Sequence, residues 1–172
     1  IIYAPNVHQG GGKVLLLQLI DNLKNKKSVF YIVDSRLNIP NKWVIKGEIL
    51  TVKPSLLSRF FVELSLSKRI GLGMEVLCMG NLPPLFITKT KLTVYVHNRY
   101  LVNNENLKKF SFKDTCRIIS ERLWLKYTTR KVNKYLVQTK GMANLLENTL
   151  GRGAEILPFF DFSSMTSRKI SG

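Results

Sequence analysis

Short apolar runs of β type alternate with longer stretches of helical spacing along this chain, and that alternation constrains the fold more than any other feature. Apolar runs without polar interruption suit strands buried on both faces, and parallel strands need a long, usually helical crossover. The pattern therefore predicts an α/β protein in three layers, with a parallel sheet flanked by helices. Strands are expected over residues 1–4, 29–33, 75–79, 92–96, 135–138 and 155–157, with a weaker region over 43–52 broken by Gly47. Helices are expected from Lys13 to about residue 23, from an N-cap at Ser55, over 115–132 and over 140–148. A length of 172 residues suits one domain spanning 1–172. Neither an internal repeat nor a low-complexity segment interrupts it.

The strongest polar clusters each follow a predicted strand: Gly10-Gly11-Gly12, Gly80-Asn81, His97-Asn98-Arg99 and Gln138-Thr139. Open parallel sheets bind ligands at the carboxyl ends of their strands, so these clusters are expected to share one edge. The three glycines close a loop over 5–12 that leads into a helix N-terminus, where free backbone N–H groups favour phosphate. A tight turn would use the same glycines. The run is neither Gly-x-Gly-x-x-Gly, because Leu15 stands where the third glycine belongs, nor a P-loop. A dinucleotide site would also need an acid about 20 residues on; Asp34 is nearly in place, but the third glycine is missing. His97 leaves a buried strand at the ligand edge, where an imidazole can hydrogen-bond a substrate hydroxyl; a structural histidine bonding a neighbouring loop fits the same position. Arg99 beside it is either a cleft residue or a solvated charge.

Charge narrows the partners. Lys and Arg number 27 against 11 Asp and Glu, a net +16 that attracts polyanions: nucleic acid, an anionic membrane surface or phosphorylated substrates. Apolar residues make up 45% and charged residues 22%, ordinary values that exclude a disordered tail or a fibre. Cys78 and Cys116 lie far apart, which excludes a zinc ribbon, and with only His8 and His97 no metal site is expected. The best apolar run, residues 14–20, falls far short of the ~20 a membrane span needs. No secretory leader is expected at the start of the sequence, which lacks a basic n-region; the absence of an initiator Met fits a trimmed start.

Two helices have faces suited to a membrane surface. From Ser55 onward, Leu56, Leu57, Phe60, Phe61 and Leu64 form an apolar face flanked by Arg59, Lys68 and Arg69; the pattern favours packing on the core over an interfacial role. Arg122, Lys126, Arg130 and Lys134 recur every four residues as a basic stripe, and the net charge favours a phosphate-bearing surface opposite Arg122, Lys126 and Arg130. Nucleic acid is the less favoured partner, because the basic residues are dispersed and no nucleic-acid motif is legible.

Residues 3–13 (Tyr-Ala-Pro-Asn-Val-His-Gln-Gly-Gly-Gly-Lys), 80–86 (Gly-Asn-Leu-Pro-Pro-Leu-Phe), 96–101 (Val-His-Asn-Arg-Tyr-Leu), 137–139 (Val-Gln-Thr) and 157–160 (Leu-Pro-Phe-Phe) resemble the N-terminal half of a GT-B glycosyltransferase. More narrowly, they look like bacterial family-four enzymes of surface-polysaccharide biosynthesis, such as that of lipopolysaccharide O-antigen. The resemblance implies a Rossmann-like acceptor-side domain, with sugar transfer from a UDP- or GDP-sugar to a saccharide or lipid-linked acceptor. It implies retention of configuration and no metal, and no cofactor held by this domain itself. Gly10, Gly11 and Gly12 would approach the donor phosphates, His97 would be the catalytic cleft histidine, and Asn81, Asn98 and Arg99 would line the acceptor cleft. It further implies a cytoplasmic position, peripheral at the inner face of the membrane. The family's Glu-x7-Glu donor domain would follow the crossover near Pro158-Phe159-Phe160; without it, the 172 residues are expected to be inactive alone.

Overall fold

The computed structural model describes residues 1–71, 73–86, 90–103 and 107–157, without the side chains of residues 56 and 69. The crossover residues Pro158, Phe159 and Phe160 lie outside the described residues. Seven strands, β1 (Ile2–Ala4), β2 (Phe30–Asp34), β3 (Glu48–Val52), β4 (Glu75–Cys78), β5 (Lys91–Val96), β6 (Lys134–Val137) and β7 (Ala154–Ile156), form a single sheet. All neighbours are parallel, in the order β3-β2-β1-β4-β5-β6-β7. The chain winds outward from β1 to β3, returns to β4 beside β1, and winds outward the other way. This is a Rossmann-like α/β arrangement, and its topological switch lies between β1 and β4.

The helices are α1 (Gly10–Leu23), α2 (Leu56–Arg69), α3 (Arg99–Val102), α4 (Phe112–Thr128) and α5 (Lys140–Leu150), with a 3-10 turn at Thr129–Lys131 extending α4. Leu16 and Ile20 of α1 pack with Ile2, Ala4, Tyr31 and Val33 on one face of the sheet. Leu66 of α2, Ile118 and Leu125 of α4 and Leu146 of α5 pack with Tyr3, Ile32, Val94 and Val96 on the other. Right-handed crossovers require this division, since leftward and rightward steps along the sheet put their helices on opposite faces. None of the helices among the described residues is long and apolar enough to cross a membrane.

Local chemistry sets the helix starts. The Ser55, Ser111 and Thr139 side chains accept backbone N–H bonds from Ser58 (3.1 Å), Asp114 (3.2 Å) and Met142 (3.2 Å), satisfying donors that the first turn leaves free. Asn98 does the same for α3 through Tyr100 N–H (3.1 Å), a short helix that the apolar pattern does not announce. One boundary differs in a way that matters: Gly10, Gly11 and Gly12 are not loop but the first turn of α1. Gly12 then falls in step with Leu16 and Ile20 on the buried side of the helix.

Helix α2 overturns the expectation for its face. Leu57 (72% exposed), Phe61 (64%) and Phe60 (45%) point outward, while Arg59 and Glu63 are buried beside Leu66. The physical reason is a closed polar network. Glu63 Oε1 accepts from Tyr3 Oη (2.5 Å) and Arg59 Nε (3.0 Å), and Glu63 Oε2 accepts from Leu85 N–H (2.7 Å). The Arg59 guanidinium also lies 4.5 Å from the centre of the Trp124 ring, and Trp124 Nε1 donates to Pro83 O (2.8 Å). A buried ion pair is tolerated when its remaining hydrogen-bonding capacity is filled in this way.

Helix α4 corrects a second expectation. Arg122 is not part of an outward stripe: its Nε donates to Tyr100 O (2.8 Å) and its Nη2 to Asn103 O, which fastens α4 to α3. Lys134 opens β6 and pairs with Glu155 (2.6 Å). Lys126 and Arg130 remain exposed.

Candidate functional site

The carboxyl ends of β1, β4 and β5, the first turn of α1 and the middle of α4 enclose a cleft of about 140 Å3 beside the topological switch. It is lined by Asn6, Gln9 and Gly12 from the first loop and helix, by Gly80 and Asn81 after β4, by His97 and Asn98 after β5, and by Arg117 and Glu121 of α4. Among the described residues, larger hollows lie elsewhere. One of about 460 Å3 opens at the amino edge of the sheet among Phe30, Leu66, Ile70 and Met74, and one of about 580 Å3 lies on the outer side of α4. Of these three, the small cleft is where polar groups of different elements converge, and chemistry outranks size in choosing it.

Asn81 organises the cleft. Its Oδ1 accepts the backbone N–H groups of His97 (2.8 Å) and Asn98 (2.9 Å), two donors that the end of β5 leaves without a strand partner. It is the one non-glycine with positive φ (+66°) among the described residues, a conformation that costs a typical L-residue roughly 1–2 kcal/mol and that Asn tolerates best. With Oδ1 so engaged, Nδ2 faces His97 Nε2 at 3.3 Å and donates to it. Nε2 is thereby the acceptor and the ring proton resides on Nδ1, which is buried and has no partner among the described residues.

Burial holds the His97 imidazole below its ordinary value of 6.5, so the ring is neutral near pH 7. Its Nε2–Cε1 edge lies beside Gly12 at the start of α1. A Cβ at position 12 would come within 3.3 Å of His97 Nε2 and 3.4 Å of Cε1, so only glycine lets the helix approach without moving the ring. Gly10 adopts φ +65° at the entry to the same turn, and Gly11 has open space where its side chain would be. Gln9 offers no side-chain cap, which leaves the N–H groups of this turn open at the cleft, the arrangement that suits an anion.

Glu121 and Arg117 form the opposite wall. Burial pushes the Glu121 carboxyl up, against the opposing pull of Arg117 and Arg59. Asn6 connects the cleft to the buried network: with its amide nitrogen donating to Pro5 O (3.0 Å), its oxygen accepts from Arg59 Nη1 (2.9 Å). The cleft thus combines a neutral imidazole, the four amides of Asn6, Gln9, Asn81 and Asn98, a carboxyl group, a guanidinium and a helix start without a side-chain cap. Such a set recognises hydroxyl groups together with a negatively charged group.

Of the residues singled out in the sequence, Gly12, Asn81, His97 and Asn98 meet in this cleft, and Gly10 and Gly11 belong to the turn that forms its wall. Arg99 does not line it; it is exposed on the first turn of α3. Arg117, Glu121, Asn6 and Gln9 were not anticipated. The signal available for the first two was their four-residue spacing on the helix that follows the His97 strand. Asp34, weighed as a ribose ligand, is fully buried and held by Arg36 through Nε to Oδ1 (2.9 Å) and Nη2 to Oδ2 (2.7 Å). Those bonds keep its carboxyl below the usual range and leave it closed to a ribose.

Comparison with protein-family models, curated proteins and solved structures finds no match to this chain.

Proposed function

We propose that this chain is the acceptor-side domain of a glycosyltransferase. The observation that carries the reading is the cleft itself: a neutral His97, fixed by Asn81 and packed on Gly12, beside the uncapped start of α1. In this reading an acceptor hydroxyl bonds His97, Glu121 and the flanking amides of Asn81 and Asn98. The N–H groups of Gly10, Gly11 and Gly12 face the diphosphate of a UDP- or GDP-sugar. The donor's nucleotide is held by a second domain of the Glu-x7-Glu type, and transfer requires both. The acceptor is a saccharide or a lipid-linked saccharide, met with the domain peripheral at the anionic inner face of the membrane. The +16 charge supports that placement.

Titration of the 15N-labelled protein with UDP- and GDP-sugars and with mono- and oligosaccharides tests the cleft. The expected result is saturable shifts at Gly12, Asn81 and His97 that vanish in His97→Ala. Shifts confined to residues outside the cleft, or none with any of these compounds, would reject the reading.

A further inference from the structure

Eight of the fourteen exposed large apolar side chains among the described residues belong to just two helices, α2 and α4. Both helices bury their inner sides in the same core, so their outer sides face the same way. Helix α2 shows Leu57, Phe60, Phe61 and Leu64. Helix α4 shows Phe112, Ile119, Leu123 (64% exposed) and Tyr127 (75% exposed). The segment between them joins the two surfaces: Phe86 meets Phe60 edge to face with ring centres 5.2 Å apart, and Leu85 O accepts from Lys131 Nζ (2.8 Å). Helix α5, in the same layer, exposes Lys140, Asn144, Glu147 and Asn148 instead, the usual solvated side of such a helix. The apolar exposure is thus a property of two helices and not of the whole layer.

Charge completes the surface. Leu123, Lys126, Tyr127, Arg130 and Lys131 line the shallow hollow of about 580 Å3 at the end of α4. No Asp or Glu occurs anywhere from 122 to 146, and the only acid of α2, Glu63, is buried against Arg59. Asp114, near Phe112 at the start of α4, is paired with Arg117 (3.5 Å), and from Leu123 to Lys131 the outward apolar side chains are rimmed by cations without an acid among them, a match to the interface of an anionic bilayer. There the apolar tips enter the headgroup boundary and the Lys and Arg heads meet lipid phosphates. A second copy of the chain would bring the same cationic rim against itself, since a two-fold interface uses one patch twice. Nucleic acid would engage the cations and leave Leu57, Phe61 and Leu123 in water.

We infer that the outer side of α2 and α4, with Leu57, Phe61, Leu123 and Tyr127 as inserting residues and Lys126 and Arg130 as phosphate contacts, docks this protein on an anionic lipid surface. This deepens the peripheral placement proposed above. Its test involves no sugar transfer, so it fails or succeeds independently of the cleft.

Co-sedimentation is measured with vesicles of phosphatidylcholine alone and of equal parts phosphatidylcholine and phosphatidylglycerol. Two surface variants are compared with the wild type, each first shown to melt like it: Phe61→Ser with Leu123→Ser, and Lys126→Glu with Arg130→Glu. The wild type is expected to prefer the anionic vesicles and to be released by salt, since screening acts over ~8 Å at physiological ionic strength. Reversing the two cations is expected to weaken anionic binding about thirtyfold or more, from the loss of about 1 kcal/mol each. The apolar variant is expected to weaken it about tenfold even though its charge is unchanged. Equal pelleting with neutral vesicles, or wild-type binding by either variant, would overturn the inference. So would a dimer in sedimentation equilibrium that the same variants dissociate, or duplex-DNA binding that blocks vesicles while Phe61→Ser with Leu123→Ser changes nothing.

Discussion

Substituting Glu63 by Leu while Arg59 remains is expected to destabilise the protein by about 3–5 kcal/mol, the range for a buried ion pair stripped of one partner. The structure shows where that cost arises. Glu63 is 1% exposed and accepts three hydrogen bonds, from Tyr3, Arg59 and Leu85. Its removal strands the Leu85 N–H, for about 1–3 kcal/mol, and takes the paired carboxylate from a buried guanidinium that keeps Asn6, the Tyr3 oxygen and the Trp124 ring. Arg59→Met alone is expected to cost a similar amount by leaving the carboxylate charged and underbonded. The double variant removes both charges at once, and its cost is expected to fall short of the summed single costs by about 2 kcal/mol or more, within the usual span for residues in one network. Urea unfolding followed by circular dichroism gives all four corners of the cycle. Additivity within about 0.5 kcal/mol would refute the view that the two residues stabilise α2 only as a pair, as would a Glu63→Leu cost below about 1 kcal/mol.

Three further outcomes follow from the cleft. Because burial lowers the His97 value below 6.5, the unfolded chain takes up that proton first; its contribution is complete above about pH 6.5 and is lost as pH falls toward the folded value. Thermal melts between about pH 7.5 and about pH 5 should therefore fall less steeply for His97→Asn than for the wild type, and parallel curves would contradict this. The raised Glu121 value has the opposite sign: stability is fuller below 4.5 and is lost as pH rises. Glu121→Gln should accordingly melt at or above the wild-type temperature at neutral pH, yet bind saccharides more weakly; a clear drop in melting temperature would assign Glu121 a structural role instead. Gly12→Ala should change stability by less than about 1 kcal/mol, since the helix-propensity gain offsets a contact at 3.3 Å, while the His97 and Asn81 resonances move. Unmoved His97 signals would show that the ring does not rest on the glycine.

What was legible in the sequence is what the main chain decides. Parallel strands announce themselves through apolar runs such as 92–96, and a residue that follows such a run, like His97, lands on the ligand edge whatever its side chain does next. The orientation of α2 was not legible because its rotation depends on partners remote in sequence. Arg59 and Glu63 point inward only because Tyr3, some 60 positions away, and Leu85, 22 positions away, supply the bonds that a buried pair requires. Hydropathy alone assigns the inner side to Leu57, Phe60 and Phe61, and nothing local contradicts it. Arg122 was misread for the same reason, its carbonyl partners at Tyr100 and Asn103 being invisible in a four-residue repeat.

The same distinction decides between the two polar residues that leave β2 and β4. Asp34 and Asn81 both sit near the carboxyl ends of strands flanking β1, so topology offers a ligand either one. Arg36, two residues on, folds back over Asp34 and donates Nε–H, Nη2–H and its backbone N–H to the two carboxylate oxygens, with His8 Nδ1 3.7 Å from Oδ2. Asn81 instead spends one amide atom on the end of the neighbouring strand and turns the other toward His97. That choice fixes the tautomer of the imidazole and leaves its Nδ1 proton without a partner among the described residues. A cleft centred on β4 and β5 rather than β2 is therefore a consequence of two side chains, and the saccharide titration proposed above distinguishes these positions directly.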